Sequence, residues 1–475
     1  MPLILPGNVG SATAATGFDV ANSVRFQNAQ LLRTNSGSTS TNIDKYTISV
    51  WLKRSKLGVD SNIIADTDGS NNYYQIYFKS DDTIRWQEYH GSGESGALIT
   101  NRKFRDVGAW YNLIFRYDSS LGTAGDRMRM YVNGVEETSF STDVNPSQNA
   151  NGHFGEASSQ KCIADNNADG REYFGYMCEF MGVDGQSLAP DQFGEFDSDS
   201  GIWKPIDISG ITQGVHGFYL KFEDSSDLGV ATLGSNWTGA GLAATDQSTD
   251  TCTNNFCTMN SLENYYQAAT LTEGNLKLLT ATTSNVAPSL ATFALTKGKW
   301  YYEAKYVSDS LAVSAGAIGI VGNQITSATA HAMLETAQKY GLYLSDGDIW
   351  HNNSKVQELG AHVDHTATIG IALDFDNNRI TFSKDGSWGD GSGNWDESSP
   401  HTYYTIAAPS TVDFQAYFPA FGDWSSGSIG YEINFGSPIY SISSGNQDAN
   451  GYGNFEYAVP SGYYTLCTKN LAEFG

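Results

Sequence analysis

The stretch that most constrains the fold is residues 366–388, where large apolar residues alternate with small or polar ones. A period of two is typical of a strand with one buried face. The alternation breaks at residues 376–379, where Asn and Asp suit a tight loop, and stops at Asp385-Gly386, a strong turn signal. The segment is therefore predicted to be a β-hairpin. Its buried positions would be Ile369, Ile371, Leu373, Phe375, Ile380 and Phe382.

The same plan occurs in the first half of the chain, over residues 110–134. Leu113 and Phe115 share one face of its first strand, and Asn133-Gly134 closes the unit. Short alternating segments recur through both halves, which predicts an all-β chain of two antiparallel β-sandwich domains. The 50 glycines and only 17% charged residues agree, because they suit turns and strands better than long helices.

Changes in composition divide the chain into four parts. Residues 1–17 lack periodicity, which indicates an N-terminal arm for anchoring or assembly, with disorder as the alternative. Residues 18–222 and 263–475 carry the strand patterns and are predicted to be the two sandwiches. Residues 223–262 are rich in Ser, Thr and Gly and are predicted to be a linker. The helix candidate is residues 329–338.

The net charge of −25 excludes one class of partner. Nucleic-acid binding needs a basic surface, so no nucleic-acid partner is expected. No apolar stretch reaches the roughly 18 residues of a membrane-spanning helix, so no membrane insertion is expected. Residues 1–10 lack the basic region of a secretory signal, which predicts a protein made in the cytoplasm without a signal peptide. The five scattered cysteines do not form a disulfide framework.

A partial calcium-binding motif lies at residues 165–170. Asp165, Asn167 and Asp169 place oxygen ligands at positions 1, 3 and 5 of such a loop, and Gly170 stands at position 6. Position 12 is Tyr176 rather than a bidentate Glu, so the motif is incomplete. An ordinary turn stabilised by Asn and Asp side chains is the favoured alternative. Calcium is the cofactor that the sequence suggests.

Aromatic residues near Gly/Asp-rich turns are the candidates for contact with a sugar. Sugars pack C–H surfaces on flat aromatic faces, while amides and carboxylates bind the hydroxyls. Aromatic residues within strands more often serve the core, and a structural role is an equal alternative for each turn residue. The second half supplies Trp350, Trp388, Trp395 and Trp424, and the first half supplies Trp86, Tyr89 and His90.

Carboxylates suited to catalysis are harder to find. A sandwich glycosidase would place two carboxylates two residues apart on one strand, where they share a face. Glu179 and Glu303 each stand alone in a strand. Glu195, Asp197 and Asp199 lie in a loop-like segment. We therefore expect no enzyme activity.

Residues 265–466 resemble a SPRY domain. The matching motifs, in that family's order, are GKWYYEAKY (298–306), GIVG (319–322), YGLYLSDGDIW (340–350), ATIGIALDFDNNRITFSKDGSWG (367–389), YFPAFG (417–422), YEINFGSPIY (431–440) and PSGYYTL (460–466). The resemblance implies a bent antiparallel sandwich that binds partners through its loops and is not an enzyme. The acidic insert at residues 389–400 departs from the family, and residues 385–395 are the part expected to face a partner.

Residues 18–222 resemble a laminin-G/concanavalin-like lectin sandwich. The segments that carry the resemblance are YTISVWLKRS (46–55), WYNLIFRYD (110–118), MRMYVNGVE (128–136) and FGYMCEFMGVDGQSL (174–188). The resemblance implies a jelly-roll, concanavalin-like fold. That fold is shared by carbohydrate binders, adhesion modules and some glycosidases, so it does not determine the activity.

The two halves together resemble virion-surface or tail-fibre-like proteins of marine tailed phages. The segments FDVANSVRF, FRDVGAWYN, DGQSLAPDQFGEFDSDSGIWKP, HGFYLKFEDSSDLG and TNNFCTMN precede the SPRY-like half in that order. The resemblance implies a protein of the virion surface that binds a host glycan or receptor, or a neighbouring virion protein. A purely structural capsid or tail decoration protein is one alternative, and a concanavalin-type polysaccharide hydrolase is another.

The virion role and the N-terminal arm predict assembly as a homo-oligomer, with a trimer favoured. Light scattering on the full chain should give the mass of a trimer or a larger assembly. A monodisperse monomer, measured with residues 1–17 intact, would contradict this prediction.

Overall fold

The computed structural model describes most of the chain, in two compact units. The described residues are 17–37, 40, 42–68, 71–91, 93–165, 170–264, 268–281, 288–309, 315–324, 333–424 and 428–475. One unit ends at Asn254 and the other begins at Asn255. The predicted arm, residues 1–17, lies outside the described residues except for Gly17. Within the described ranges, no helix has the length and hydropathy needed to cross a membrane.

The first unit is built from short strands. They are β1 Ser23–Phe26, β2 Leu31–Asn35, β3 Lys45–Arg54, β4 Ser61–Thr67, β5 Asn72–Phe78, β6 Ile84–His90, β7 Gly93–Thr100, β8 Tyr111–Asp118, β9 Met128–Val132, β10 Val135–Glu137, β11 Phe140–Val144, β12 Gln160–Ile163, β13 Gly175–Asp184, β14 Gly194–Phe196, β15 Trp203–Pro205, β16 Phe218–Leu220, β17 Leu233–Gly234, β18 Thr238–Ala240 and β19 Gln247–Ser248. Short 3-10 turns occur at Ala124–Asp126, Pro190–Gln192 and Ala244–Asp246.

These strands form two antiparallel sheets and a small ribbon. The nine-stranded sheet has the order β10-β9-β8-β3-β13-β1-β19, with β16 on β13 and β17 on β16. The eight-stranded sheet has the order β11-β7-β6-β5-β4-β12-β2-β18, and β14 pairs with β15. Residues from both large sheets, such as Trp86 and Phe115, share one apolar core. This arrangement is the sandwich predicted for the first half.

The second unit has the same kind of architecture. Its elements are β20 Thr270–Thr272, β21 Lys277–Leu279, β22 Ser289–Leu290, β23 Lys299–Asp309, β24 Gly316–Val321, β25 Lys339–Tyr343, β26 Asp348–His351, β27 Ser354–Gln357, β28 Thr368–Asp374, β29 Arg379–Lys384, β30 Ser387–Gly389, β31 Trp395–Glu397, β32 Tyr404–Thr405, β33 Phe418–Asp423, β34 Ile429–Asn434, β35 Tyr464–Thr465 and the helix α1 Thr468–Phe474. Its 3-10 turns are Glu273–Asn275 and Pro409–Thr411.

Two sheets enclose the core of the second unit. The ten-stranded sheet has the order β20-β21-β34-β23-β28-β29-β30-β31, with β32 on β29 and β35 on β23. The six-stranded sheet has the order β22-β33-β24-β25-β26-β27. Ile371 from the larger sheet and Ile318 from the smaller one belong to the same apolar core.

Both predicted hairpins are confirmed. β28 pairs with β29 and places Ile371 opposite Phe382. β8 pairs with β9 and places Phe115 opposite Met130. The turn residue Asn378 has a φ of 50°, a left-handed conformation that Asn tolerates better than most residues. The alternation in the sequence thus identified the core faces of these strands.

Residues 223–262, expected as a linker, are divided between the two units. The part up to residue 254 completes the first sandwich, because β18 pairs with β2 and β19 pairs with β1. Trp237 is buried in the core, and Asp246 forms a buried ion pair with Arg25 at 3.0 Å. The residues from Asn255 onward belong to the second unit. This segment is anchored by one buried indole and by ion pairs, and not by a row of apolar residues on one face. Its sequence therefore shows no alternation of apolar and polar residues.

The helical structure also differs from the prediction. The candidate at residues 329–338 lies partly outside the described residues, and its described part, 333–338, forms turns. Helix α1 was not predicted. Its 7 residues make about two turns, which is too short for a helical period to stand out in the sequence.

A carboxyl group lies inside the first core. Glu88 on β6 is fully buried and accepts hydrogen bonds from the Tyr46 hydroxyl and from the backbone N–H of His153 at 3.1 Å. Burial raises the pKa of Glu88 to about 8, against the opposing effect of these hydrogen bonds. The folded protein therefore keeps a proton on Glu88 at neutral pH, whereas an ordinary Glu releases it near pH 4.5.

This buried proton predicts that the first unit loses stability as the pH rises. Between pH 4.5 and pH 8 the folded state holds a proton that the unfolded state has released, so the free energy of unfolding falls. Urea unfolding at about pH 5 and about pH 8 should show the fall, and Glu88→Gln should reduce it because an amide does not titrate. The exposed control Glu136→Gln should behave as the wild type. Equal pH dependence in the Glu88→Gln and wild-type proteins would contradict this account.

Candidate functional site

The pairing of β5 with β6 brings polar and aromatic side chains onto the outer face of the eight-stranded sheet. Tyr73 lies opposite Tyr89, and Gln75 lies opposite Gln87. The residue between Tyr73 and Gln75 on β5, Tyr74, belongs to the core. Successive side chains of a strand face opposite sides, so these four face away from the core. We call the outer-face residues Tyr73, Gln75, Gln87, Tyr89 and Asn62 the tyrosine–amide face.

The two tyrosines form a stacked pair. Their ring centroids are 5.1 Å apart and the rings are inclined by 6°, and both side chains are half-buried. Burial and the neighbouring Tyr89 raise the pKa of Tyr73, so its hydroxyl stays protonated at neutral pH. A rigid aromatic surface with a hydroxyl at its tip can pack on C–H groups and also bond a polar ligand.

A row of hydrogen-bonded amides lies beside this stack. The Gln87 amide nitrogen donates to the Gln75 oxygen at 3.4 Å, and the Gln75 amide nitrogen donates to the Asn62 oxygen at 3.2 Å. Arg171 also donates to the Gln75 oxygen, at 2.8 Å, and its guanidinium lies 4.7 Å from the ring centroid of Tyr77. Gln75 and Gln87 are only 4% and 5% exposed, and Asn62 is fully buried. The amide row is therefore a fixed part of the sheet, and the accessible part of this face is the tyrosine pair.

The amide row reaches the predicted calcium loop. The Asn62 side chain donates to the backbone oxygen of Asp165 at 2.8 Å. Asn167 and Asp169, the other two predicted ligands, lie outside the described residues. In the part of the chain that is described, no group of three or more His, Cys, Asp or Glu side chains is placed to hold a metal ion. Calcium binding thus stays a prediction, and Asp165 is the predicted ligand that contacts the tyrosine–amide face.

The three aromatic candidates of the first half have different environments. Tyr89 lies on the tyrosine–amide face. Trp86 lies in the core, where its indole N–H donates to the Tyr46 hydroxyl at 3.1 Å. His90 stacks on His153 with centroids 4.1 Å apart, and burial lowers the pKa of His90 and lowers that of His153 to about 4. Burial makes Trp86 a structural residue, so Tyr89 is the first-half candidate on the proposed face.

Two of the four tryptophan candidates of the second half come together. Trp350 lies 5.2 Å from Trp424 between ring centroids, and Tyr343 lies 5.8 Å from Trp350 and 5.3 Å from Trp424. All three are half-buried. The Trp350 indole N–H donates to the Asp346 carboxylate at 2.9 Å, which fixes the ring. We call Tyr343, Trp350 and Trp424 the aromatic triad.

The other two tryptophans have structural positions. Trp388 is 4% exposed and packs with Tyr301 and Phe455. Trp395 is half-buried against the core of its unit, and its indole N–H donates to the Ala361 backbone oxygen at 2.7 Å. A side chain larger than that of Gly360 would collide with the Trp395 ring. Trp395 therefore fastens the acidic insert to the neighbouring loop.

Sequence reasoning missed most of the residues that surround Tyr89 and Trp350. The missed residues are Asn62, Tyr73, Gln75, Gln87, Arg171 and Tyr343. Tyr73 and Gln75 alternate along β5 with the core residues Tyr74 and Ile76, so they occupy the face of that strand that points outward. The signal was present, but choosing those positions requires knowing which strand pairs with which.

Comparison with known proteins identifies the fold of the first unit. Residues 26–183 match the family model described as the concanavalin A-like lectin/glucanases superfamily. The match covers about a third of the chain, and it lies within the first of the two sandwiches. No curated protein sequence is significantly similar to the chain.

Solved structures show weaker similarities. A native heptameric SAP-like pentraxin from Limulus polyphemus is 16% identical, with coverage of 37% of this chain and 82% of that one and a TM-score of 0.27. The SPRY domain of human HERC1 is 13% identical, with coverage of 35% and 91% and a TM-score of 0.25. Domain 4 of AbnA, a GH43 extracellular arabinanase from Geobacillus stearothermophilus in complex with arabinotriose, is 19% identical, with coverage of 34% and 68% and a TM-score of 0.26. At such TM-scores these similarities say nothing about function. The family match and the sheet topology together show an all-β chain with a concanavalin A-like lectin fold in its first unit.

Proposed function

We propose that the chain is a non-enzymatic binding protein whose first unit binds a glycan on the tyrosine–amide face. The observation that carries the proposal is the Tyr73–Tyr89 stack beside the hydrogen-bonded Gln75 and Gln87. The half-buried rings offer an aromatic surface to C–H groups and phenolic hydroxyls to a polar ligand, while the amides beside them are buried. The lectin fold matched over residues 26–183 supports a binding role of this kind.

The preorganisation of the face supports the same conclusion. Each tyrosine is held by the other, and Gln75 is held by both Asn62 and Arg171. Binding then orders few additional side chains, and the entropy lost on association is correspondingly smaller. A surface that is already fixed is better suited to a repeating polymer such as a glycan than a row of free side chains would be.

The setting that we propose is the surface of a phage virion, on a tail fibre or a similar appendage. The order of sequence segments that resembles marine phage proteins supports this setting. The ligand would be a host surface glycan or receptor, and the neighbours would be other virion proteins. Synthesis would take place in the host cytoplasm. A purely structural decoration protein is the alternative, and it would bind no glycan.

Two of the acidic residues considered for catalysis, Glu179 and Glu195, favour binding over hydrolysis. Glu179 is 3% exposed and accepts a hydrogen bond from the Tyr219 hydroxyl, and burial raises its pKa to about 7. Glu195 is exposed and pairs with Lys204 at 3.3 Å. A glycosidase needs two carboxyl groups facing the same glycosidic bond. One of these acids is enclosed by protein and the other is solvated in an ion pair, which does not fit that requirement.

The aromatic triad favours a second function, the binding of a protein partner by the second unit. Trp and Tyr are the side chains that most often dominate protein–protein binding energy. Here Trp350, Trp424 and Tyr343 are in mutual contact and half-buried, so part of each ring remains accessible. The resemblance of this half to SPRY domains supports a neighbouring virion protein as the partner.

One prediction from this proposal concerns the tyrosine–amide face. A glycan array probed with the full chain should give hits, and Tyr89→Ala should weaken binding of the best hit about tenfold, the expected effect of losing one aromatic contact. Titration calorimetry checks the affinity, and circular dichroism checks that the variant is folded.

Phe196→Ala is the matched control for this prediction. Phe196 is an aromatic residue of the same unit, 51% exposed, but it lies in the β14–β15 ribbon. This variant should keep wild-type affinity. Wild-type affinity in Tyr89→Ala would exclude the tyrosine–amide face, and the absence of any hit at high avidity would favour the structural role.

Another prediction from this proposal concerns the aromatic triad. Trp350→Ala should abolish capture of a purified virion protein by the full chain while leaving glycan binding unchanged, because the two surfaces belong to different units. Tyr464→Ala removes a half-buried ring elsewhere in the second unit and should have no effect on capture. Undiminished capture by Trp350→Ala would show that the triad has only a structural role.

A further inference from the structure

Two of the five cysteines lie close together in the first unit. Cys178 is on β13, and Cys252 is in the turn formed by residues 251–254. Both are free thiols, and their sulfur atoms are 3.7 Å apart. The sulfurs of a disulfide are about 2.05 Å apart. Bond formation therefore requires the two side chains to rotate toward each other.

The backbone that carries Cys252 is held in place against the sheet. The Asp250 carboxylate pairs with the buried ammonium group of Lys53 and accepts a hydrogen bond from the Trp110 indole N–H at 3.1 Å. The Thr253 hydroxyl accepts a hydrogen bond from the Val20 backbone N–H at 3.0 Å. These anchors lie on both sides of Cys252, so its sulfur stays near Cys178 in the folded state.

The two thiols differ in access to solvent. Cys178 is fully buried among Trp51, Trp110 and Trp203. Cys252 packs against the same cluster but is partly exposed, so a small reagent would reach it first. Burial raises the pKa of the Cys252 thiol, which leaves little thiolate at neutral pH. The reaction should therefore be slow at neutral pH and faster as the pH rises.

We propose that Cys178 and Cys252 form an intramolecular disulfide when the folded protein meets a low-molecular-weight disulfide such as oxidised glutathione. The Cys252 thiolate attacks one glutathione sulfur, forms a mixed disulfide and releases one glutathione thiolate. The Cys178 thiolate then attacks the Cys252 sulfur and releases the second glutathione. Two protein thiols lose two electrons and two protons, and one oxidised glutathione becomes two reduced ones.

The cross-link would fasten the last segment of the first unit to the centre of its nine-stranded sheet. β13 lies between β3 and β1 in that sheet, and residues 247–248 form the edge strand β19. The chain would stay reduced in a reducing cytoplasm and would become cross-linked after release from the cell into an oxidising medium. The inference rests on the two sulfur positions and does not depend on glycan binding.

The test treats the full native chain with oxidised glutathione at about pH 8.5, where the thiolate fraction is larger. The intact mass should fall by two hydrogens, and a non-reducing peptide map should join the peptides that contain Cys178 and Cys252. The midpoint of thermal unfolding should rise by roughly 5–10 °C, because the bridge closes a long loop of the unfolded chain. Cys162→Ser should oxidise as the wild type does.

Three results would overturn the proposal. One is an unchanged mass after prolonged oxidation of a chain that remains folded. Another is retention of glutathione on Cys252, which would show that Cys178 cannot reach it. The third is a bridge that forms only in denaturant, where the folded arrangement has no influence. Titration of the wild-type chain with oxidised glutathione distinguishes these results, and it needs no variant that could fail to fold.

Discussion

The register between β5 and β6 determines both the core and the candidate site of the first unit. In this register Ile76 faces Trp86 within the core, while Gln75 faces Gln87 on the outer side. A shift of β6 by a single residue would place the Gln87 amide in the core and the Trp86 indole outside. The apolar contacts of one face therefore hold the polar residues of the other face in position, and the proposed binding surface depends on the same packing that stabilises the fold.

Buried ion pairs complete the sandwich where apolar residues are scarce. The chain has 27 basic residues against 52 acidic ones, yet several basic residues of the first unit are used internally. Arg25 pairs with Asp246, and Lys53 pairs with Asp250, with all four side chains buried. Removing one partner of such a pair leaves an uncompensated buried charge, at a cost of about 3–5 kcal/mol. These pairs anchor residues 223–254, and the Lys53–Asp250 pair also positions Cys252.

Strands in which apolar and polar residues alternate could be predicted from the sequence. Elements that are anchored by one side chain or one ion pair could not. The hairpins at residues 110–134 and 366–388 have several large residues on one face, so their period of two was visible. Residues 223–254 are held mainly by Trp237 and by ion pairs whose partners lie about two hundred residues away. Pairing over such a distance leaves no local pattern, which explains why a linker was expected there.

The prediction of ligand-contacting residues from the sequence had the same limit. A position near a turn suggested Trp86 and Trp388 as ligand contacts, but both rings complete the cores beneath those turns. Tyr73 and Gln75 were passed over because they lie within a strand, although that strand exposes one side. The position of a residue near a turn thus predicted contact with a ligand less well than the face of the strand on which the residue lies. Only the pairing of strands shows which tyrosines and amides share a surface.

The most direct test is a crystal structure of the full chain with the oligosaccharide that binds best on a glycan array. The account predicts a sugar ring packed against Tyr89 and Tyr73, with sugar hydroxyl groups hydrogen-bonded to the tyrosine hydroxyls. Sugar density at another place on the first unit, with the tyrosine–amide face unoccupied, would contradict the account.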